Sequence, residues 1–299
     1  MLIVLCALVA LGGCERRADA PAAGPFDGDR ALSYARMVME FGPRVPGSEA
    51  HRKTADWIVA QMRQRADTLV EQRWTHRTAR GDTLPLRNIL ARYRPQARER
   101  ILYVTHWDSR PVSDEASDPA QRTQPVPGAN DGASGIGLFI ALGDVLKKTP
   151  PAMGVDLLFV DGEDYGDFGP PRVDVLIGSE YFAAHLPSAD YQPLFGVLWD
   201  MIGDADLQIY QEQNSVEKAP EVVTRVWQAA ADLGYVNYFR PQVKNDIIDD
   251  HIPLLEKGLR VVDVIDYDYP YHHTPQDTID KISARSLKIV GDVAWKVLQ

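Results

Sequence analysis

Apolar and polar positions along the chain follow two interleaved periods. Val155-Asp156-Leu157-Leu158-Phe159-Val160 is a nearly continuous apolar run of strand length that stops at Asp161-Gly162-Glu163-Asp164. Ile101-Leu102-Tyr103-Val104, Phe195 to Trp199 and Leu259 to Ile265 have the same character. Such runs read as strands buried on both faces, the signature of parallel sheets. Between them, Asp29–Phe41, Glu49–Met62, Ile136–Leu146, Ser179–His185, Glu217–Leu233, Ile252–Lys257 and Thr278–Leu298 carry helical spacing, with Asp27 or Asp29 placed to cap the first. Thr68–Thr78 and Leu86–Tyr93 read as strands that pair at a sheet edge. This alternation predicts a three-layer α/β/α sandwich with a mainly parallel mixed sheet.

The N-terminus departs from that pattern. Leu2 to Leu11 is apolar but too short to span a bilayer, which suits a signal segment. It runs into Leu11-Gly12-Gly13-Cys14, which resembles a bacterial lipobox. The expected organisation is therefore a signal peptide over 1–13, a lipidated Cys14 with a flexible Ala/Pro/Gly-rich tether to residue 27, and one catalytic domain over 28–299. Lipidation at Cys14 implies a membrane anchor in the cell envelope, with Glu15 compatible with delivery to the periplasmic side of the outer membrane. Cys6 falls in the removed part, so no intramolecular disulfide is expected. Across 299 residues the formal net charge is −10, and no basic stripe offsets it, which argues against a nucleic-acid partner.

The chemistry gathers where strands end. Open α/β sheets place their sites beyond the carboxyl ends of strands. Here those ends offer His106 with Asp108, Asp131 in the glycine-rich turn Gly128-Ala129-Asn130-Asp131-Gly132-Ala133-Ser134-Gly135, Glu163-Asp164, and Asp200. The loop Tyr271-His272-His273-Thr274-Pro275 adds imidazole. Singly each has an ordinary structural use. Together they form the donor set that zinc favours, His and carboxylate ligands with a position left for substrate. Of the adjacent acids at 163 and 164, one can bind a cation while the other stays free as a base.

These blocks resemble the zinc aminopeptidase superfamily and, within it, bacterial glutaminyl-peptide cyclotransferases. The resemblance runs from Phe41-Gly42-Pro43-Arg44-Val45-Pro46-Gly47-Ser48 to the C-terminal helix. It rests on His106-Trp107-Asp108-Ser109-Arg110-Pro111, the 128–135 turn, Asp161 to Gly166, Gly178-Ser179, Asp249-Asp250-His251-Ile252-Pro253 and His273-Thr274-Pro275-Gln276-Asp277. It implies a zinc-aminopeptidase-like fold, with Asp131, Asp164 and His273 as zinc ligands and Glu163 as general acid/base. Asp200 and Asp250 would be the hydrogen-bonded acidic partners of Glu163. In the aminopeptidases His106 and Asp200 would hold a second metal, with Asp131 bridging. His272 stands where animal cyclases place a tryptophan, which leaves the pocket wall to Tyr269, Tyr271 or Phe168, and leaves His272 as a second candidate for the metal.

The implied substrates are peptide or protein N-termini. As a cyclase, one zinc would polarise the γ-amide of an N-terminal glutamine while the α-amine attacks it and ammonia leaves. As an aminopeptidase, two metals would share a water activated by Glu163. A catalytically dead binding module is disfavoured by the intact Glu163 and ligands. Trp107 and Trp199 are candidates for either a pocket mouth or core packing, and Ser109–Pro127 for either a lid or a surface excursion.

Overall fold

The computed structural model describes residues 24–299, so the Leu11–Cys14 motif lies outside the described residues. The chain runs α1 (Gly28–Met39), α2 (Glu49–Arg63), β1 (Thr68–Arg77), β2 (Thr83–Tyr93), β3 (Arg100–His106), α3 (Ser134–Lys148), β4 (Gly154–Val160), α4 (Ile177–Ala184) and β5 (Phe195–Asp200). It continues through β6 (Ile209–Glu212), α5 (Gln213–Lys218), α6 (Pro220–Asp232), β7 (Phe239–Asn245), α7 (His251–Glu256), β8 (Val261–Ile265) and α8 (Ala284–Val297). The six-stranded sheet has the order β1-β2-β4-β3-β5-β8. β4, β3, β5 and β8 are parallel, while β2 pairs antiparallel with both β1 and β4. The expected edge hairpin and mainly parallel mixed sheet are both present.

Side chains alternate across the parallel strands as the two-residue strand period requires. Ile101 and Tyr103, Leu157 and Phe159, and Val197 and Trp199 pack into the large core with α1, α2, α3, α6 and α8. Leu102 and Val104, Leu158 and Val160, and Leu198 pack into the smaller core with α4 and α7. Both faces are covered, which is why the strands read as unbroken apolar runs. Trp107 and Trp199 are fully buried and belong to the large core rather than to a pocket mouth.

Two fully buried aspartates interrupt this core, Asp156 in the middle of β4 and Asp263 in β8. The Asp156 carboxylate accepts Arg100 Nε at 2.7 Å and Nη2 at 3.1 Å, Arg92 Nε at 3.1 Å and the Tyr191 hydroxyl at 2.8 Å. It therefore ties β2 and β3 to β4 from one side.

Several boundaries differ from expectation. The stretch Glu217–Leu233 is two helices rather than one, because Pro220 lacks an N–H and opens α6 at its first turn, leaving α5 to end at Lys218. α8 starts at Ala284, six residues later than expected. Ser283 caps it by accepting the Ser286 N–H, while Thr278 to Ile282 form a turn whose Ile282 bridges Asp204. β2 begins at Thr83 rather than Leu86. The pair β6–β7 was not anticipated: β6 has four residues and β7 is mostly solvent-facing, so neither carries an apolar run. The expected tether also ends early. Phe26 is buried against Gly291 of α8, and Asp27 caps α1.

Asp156→Ala would leave two arginines and a tyrosine hydroxyl facing a buried gap. It is expected to cost about 3–5 kcal/mol of stability, measured as the unfolding free energy in a denaturant titration against the unsubstituted protein.

Candidate metal centre

The strand order reverses around β3: the chain leaves β3 for β4 on one side, then places β5 on the other. Such a switch point opens a crevice at the carboxyl ends of the strands. His106 ends β3 directly opposite Val160, the last residue of β4, and Asp200 ends β5. The register thus brings His106, the 161–164 segment and Asp200 to one level.

The turn at 128–135 delivers Asp131 to the same point. Gly132 has φ +92°, and a Cβ there would lie 2.7 Å from the Asp108 carbonyl oxygen, so only glycine fits. The Asn130 and Asp131 N–H groups donate to the Asp277 carboxylate at 2.8 and 3.2 Å, and the Tyr269 hydroxyl donates to it at 2.6 Å. Behind the turn, the buried Arg44 guanidinium donates to the carbonyls of Trp107, Pro127, Gly128 and Asp131. The PRVPGS connector therefore acts as a cationic anchor that gathers the carbonyls on both sides of the turn.

The Glu163 segment is held from two sides. In front, the Asp108 carboxylate accepts the N–H groups of Glu163 and Asp164 at 3.1 and 3.3 Å. Behind, Asp161 contacts His51 Nε2 at 2.7 Å and accepts the Arg87 N–H at 2.6 Å, with His51 stacked on Trp107. Burial, opposed by His51, pushes Asp161 up to about 6. Neither the Asp108 clamp nor His51 was assigned such a role from sequence. The signal for both is contact between distant segments, which no local pattern carries.

Three groups of three ligand atoms result among the described residues. The first is His106, Asp131 and Asp200; the second is Asp131, Asp164 and His273, which shares Asp131 with the first; the third is Glu115, His272 and His273, of which Glu115 is exposed. All five residues of the first two groups are buried. His106 Nε2 lies 3.0 Å from both Asp131 Oδ1 and Asp200 Oδ1. His273 Nε2 lies 3.2 Å from Asp164 Oδ1 and 3.7 Å from Asp131 Oδ2. Four ligands about 2.0–2.2 Å from a tetrahedral zinc sit roughly 3.3–3.6 Å apart, so the second group has zinc spacing. Asp131 Oδ2 and Asp164 Oδ2 are buried without a hydrogen-bond partner, the condition a cation would relieve. The donor set fits zinc. His273, at φ +50°, turns its Nδ1 towards Asp114 and Glu115, 3.6 and 3.9 Å away, the kind of outer contact that orients a metal-bound imidazole. His272 lines the same cavity, with Nδ1 3.2 Å from Glu115 and its ring stacked on His273, but it is not part of the buried Asp131–Asp164–His273 group.

Electrostatics separate the carboxyls. Burial, reinforced by the charges of Asp164, Asp249 and Asp250, raises Glu163 well above the usual carboxylate range. Burial, then His106, set Asp131 in opposite directions, and the imidazole prevails, holding Asp131 low. Burial pushes Asp250 up to about 7. Asp250 is fully buried and does not line the cavity; its neighbour Asp249 does, and burial with the charge of Asp200 raises Asp249 well above normal. Asp200 and Asp249 thus line the cavity with Glu163, and Asp250 acts on Glu163 through its charge from the interior.

The cavity has a volume of about 340 Å³. Phe168 lines it as expected, whereas its second aromatic is Tyr267 rather than Tyr269 or Tyr271. Arg110, Asp114 and Glu115 come from the 109–127 stretch, which is a wall of the site.

A histidine–carboxylate centre at the switch point of an α/β/α sandwich defines the zinc-exopeptidase class of fold. Within it, the chain belongs to peptidase family M28, whose family model matches residues 88–298. It is similar to the glutaminyl cyclase of Porphyromonas gingivalis (36% identity, TM-score 0.89, 92% of this chain and 99% of that one). It resembles equally in shape a leucine aminopeptidase precursor from Bacteroides thetaiotaomicron (31% identity, TM-score 0.89, 93% and 98%). It is also 26% identical to the glutaminyl-peptide cyclotransferase of Drosophila melanogaster over 80% of this chain and 72% of that protein. The chain spans less than half the length of other curated relatives it matches, from Escherichia coli and Bacillus subtilis.

Asp131→Ala removes the residue shared by both buried ligand groups and is expected to weaken zinc binding at least about tenfold. Glu163→Gln should retain full zinc. Elemental analysis after dialysis measures both, and loss of zinc from Glu163→Gln would mean that Glu163 is itself a ligand.

Proposed function

We propose that the protein is a zinc-dependent glutaminyl-peptide cyclotransferase that converts an N-terminal glutamine to pyroglutamate and releases ammonia. The observation that carries this reading is the asymmetry between the two buried ligand groups. His106 Nε2 lies 3.0 Å from a carboxylate oxygen of both Asp131 and Asp200, so the ligand-type atoms of that group are already engaged with one another. The Asp131–Asp164–His273 group keeps two buried oxygens without a partner. That pattern suits one metal ion, and one ion leaves the substrate's α-amine free to act as nucleophile. The likeness to the Porphyromonas gingivalis glutaminyl cyclase over nearly its whole length supports the same reading.

Asp131, Asp164 and His273 would hold the zinc, which supplies Lewis acidity towards the γ-carbonyl oxygen. The chain's own groups do the proton work. The α-nitrogen attacks the carbonyl carbon of the γ-amide and must shed a proton, and the amide nitrogen must gain one before it leaves as ammonia. Glu163 can carry out both transfers, since burial and the neighbouring acids raise its proton affinity well above that of an ordinary carboxyl. Asp249 sustains that affinity from the same cavity, while the Asp108 and Asp161–His51 clamps fix the segment that carries Glu163. Ring closure is intramolecular, so a cavity that holds the glutamine side chain folded lowers the barrier entropically.

The second reading, an aminopeptidase with two metals, draws on the shared Asp131, which both buried ligand groups contain. A glutamine-led peptide and a leucine-led peptide separate the two. Ammonia from the first without free leucine from the second is expected; the reverse result means a peptidase. Glu163→Gln should lower kcat by about 10²–10⁴-fold in either reaction.

The Leu11-Gly12-Gly13-Cys14 segment supports a further part of the reading, that the domain is lipid-anchored at Cys14 in the cell envelope. Cys14→Ser should then move the protein from the membrane to the soluble fraction.

A further inference from the structure

The cavity's inner half is occupied by the metal ligands and Glu163, but its mouth has a composition that the proposed chemistry does not use. Glu115, Asp167 and Asp246 line the mouth, together with Ile248 and Tyr267. Ile248 and Tyr267 are 39% and 45% exposed, two of the few large apolar side chains left in solvent among the described residues. Asp167 accepts only the Gly169 N–H and Asp246 only the Asn214 side-chain amide, so neither meets a cationic side chain. Glu115 meets His272. Arg110, the one arginine or lysine lining the cavity, is bound to both Asp114 and Asp164. Among the described residues the rim is therefore anionic, with Asp167 and Asp246 uncompensated by any cationic side chain, and apolar surface lies within it. We propose that this mouth selects substrates whose second residue is lysine or arginine: the aliphatic stem lies along Ile248 and Tyr267, and the charged end meets Asp167, Asp246 and Glu115. Long cationic side chains bind in this divided manner, stem on apolar surface and head on a polar partner.

This inference rests on the reading that a substrate N-terminus enters the cavity, and it extends that reading to the residue that follows. The test uses zinc-loaded full-length protein and two peptide series, glutamine-led and leucine-led, each with lysine, alanine or glutamate second. Which product appears, ammonia or leucine, tests the cyclase reading separately. The ratio of kcat/KM for lysine over glutamate tests the mouth in whichever series turns over, and the ratio of Kd values on Glu163→Gln tests it without turnover. About tenfold or more in favour of lysine is expected, from a few partly exposed charge pairs. It should fall towards one in Asp167→Asn/Asp246→Asn. It should also fall between about 0.01 M and 1 M salt, as the screening length drops from roughly 30 Å to 3 Å. Because each ratio is internal to one preparation, partial misfolding of the variant cancels. A ratio near one in the unsubstituted protein, or one that neither salt nor the double substitution reduces, would overturn the proposal.

Discussion

Asp108, Asp131, Glu163, Asp164, Asp200, Asp249 and Asp250 are all buried around one point at the carboxyl edge of the sheet. Taking a carboxylate out of water is costly unless hydrogen bonds or opposite charge replace the lost hydration. Much of the local architecture is the answer to that density. Asp108 is given two N–H donors, and Asp277, just behind Asp131, is given two N–H groups and a tyrosine hydroxyl. His106 lies between Asp131 and Asp200, and Arg110 holds Asp164. Glu163 and Asp249 answer differently, by retaining protons into the range where other carboxyls have lost them. Asp131 and Asp164 each keep one buried oxygen without a partner, the unanswered part of that charge, and both carboxylates lie beside His273 Nε2. Acid–base capacity and cation affinity at this site therefore have one origin.

Backbone geometry enforces the crowding. The α3 helix approaches the sheet so closely that a Cβ on Gly135 would sit 1.8 Å from Thr105 Oγ1, which presses the Asp131 turn against the end of β3. Arg44 then gathers the carbonyls on the far side of that turn, so its position is fixed from above and below. The Asp161–His51 pair acts likewise on the segment carrying Glu163, linking it to α2 across the face of Trp107. Loops at strand ends are usually the mobile part of an α/β fold. Here the Asp131 turn and the Glu163 segment are fastened, one by the buried Arg44 guanidinium and the other by the buried Asp161–His51 contact.

How far this was legible in the sequence depended on whether a feature is local. The four parallel strands were readable because burial on both faces leaves an unbroken apolar run, as at Val155–Val160. β6 and β7, short or solvent-facing, leave no such trace. Asp131, Asp164, His106 and Asp200 stood out as metal-type residues where strands end, and the structure brings them together. Asp249 and Asp250 could not be told apart by residue type. They are adjacent and alike, and only the entry of the chain into α7 decides which faces the cavity and which the interior. Arg44, His51 and Tyr267 are legible only through partners that are remote in the chain, and their sequence surroundings are those of an ordinary turn, helix and loop.

The same centre could serve two reactions, and what separates them is the state of the substrate's amine. A peptidase benefits from binding that amine as a cation or as a ligand, because water is the nucleophile and the amine is a handle. A cyclase requires it unbound and unprotonated at the moment of attack. An anionic pocket stabilises the protonated amine and so opposes cyclisation, unless a nearby carboxylate can accept the proton during the attack. Glu163 lies against His106 and Asp108 in the part of the pocket where such a transfer has to occur. The acidity that draws a substrate amine in would thus also hold it inactive. Glu163, raised in pKa by the same neighbouring acids, is the group that can release it.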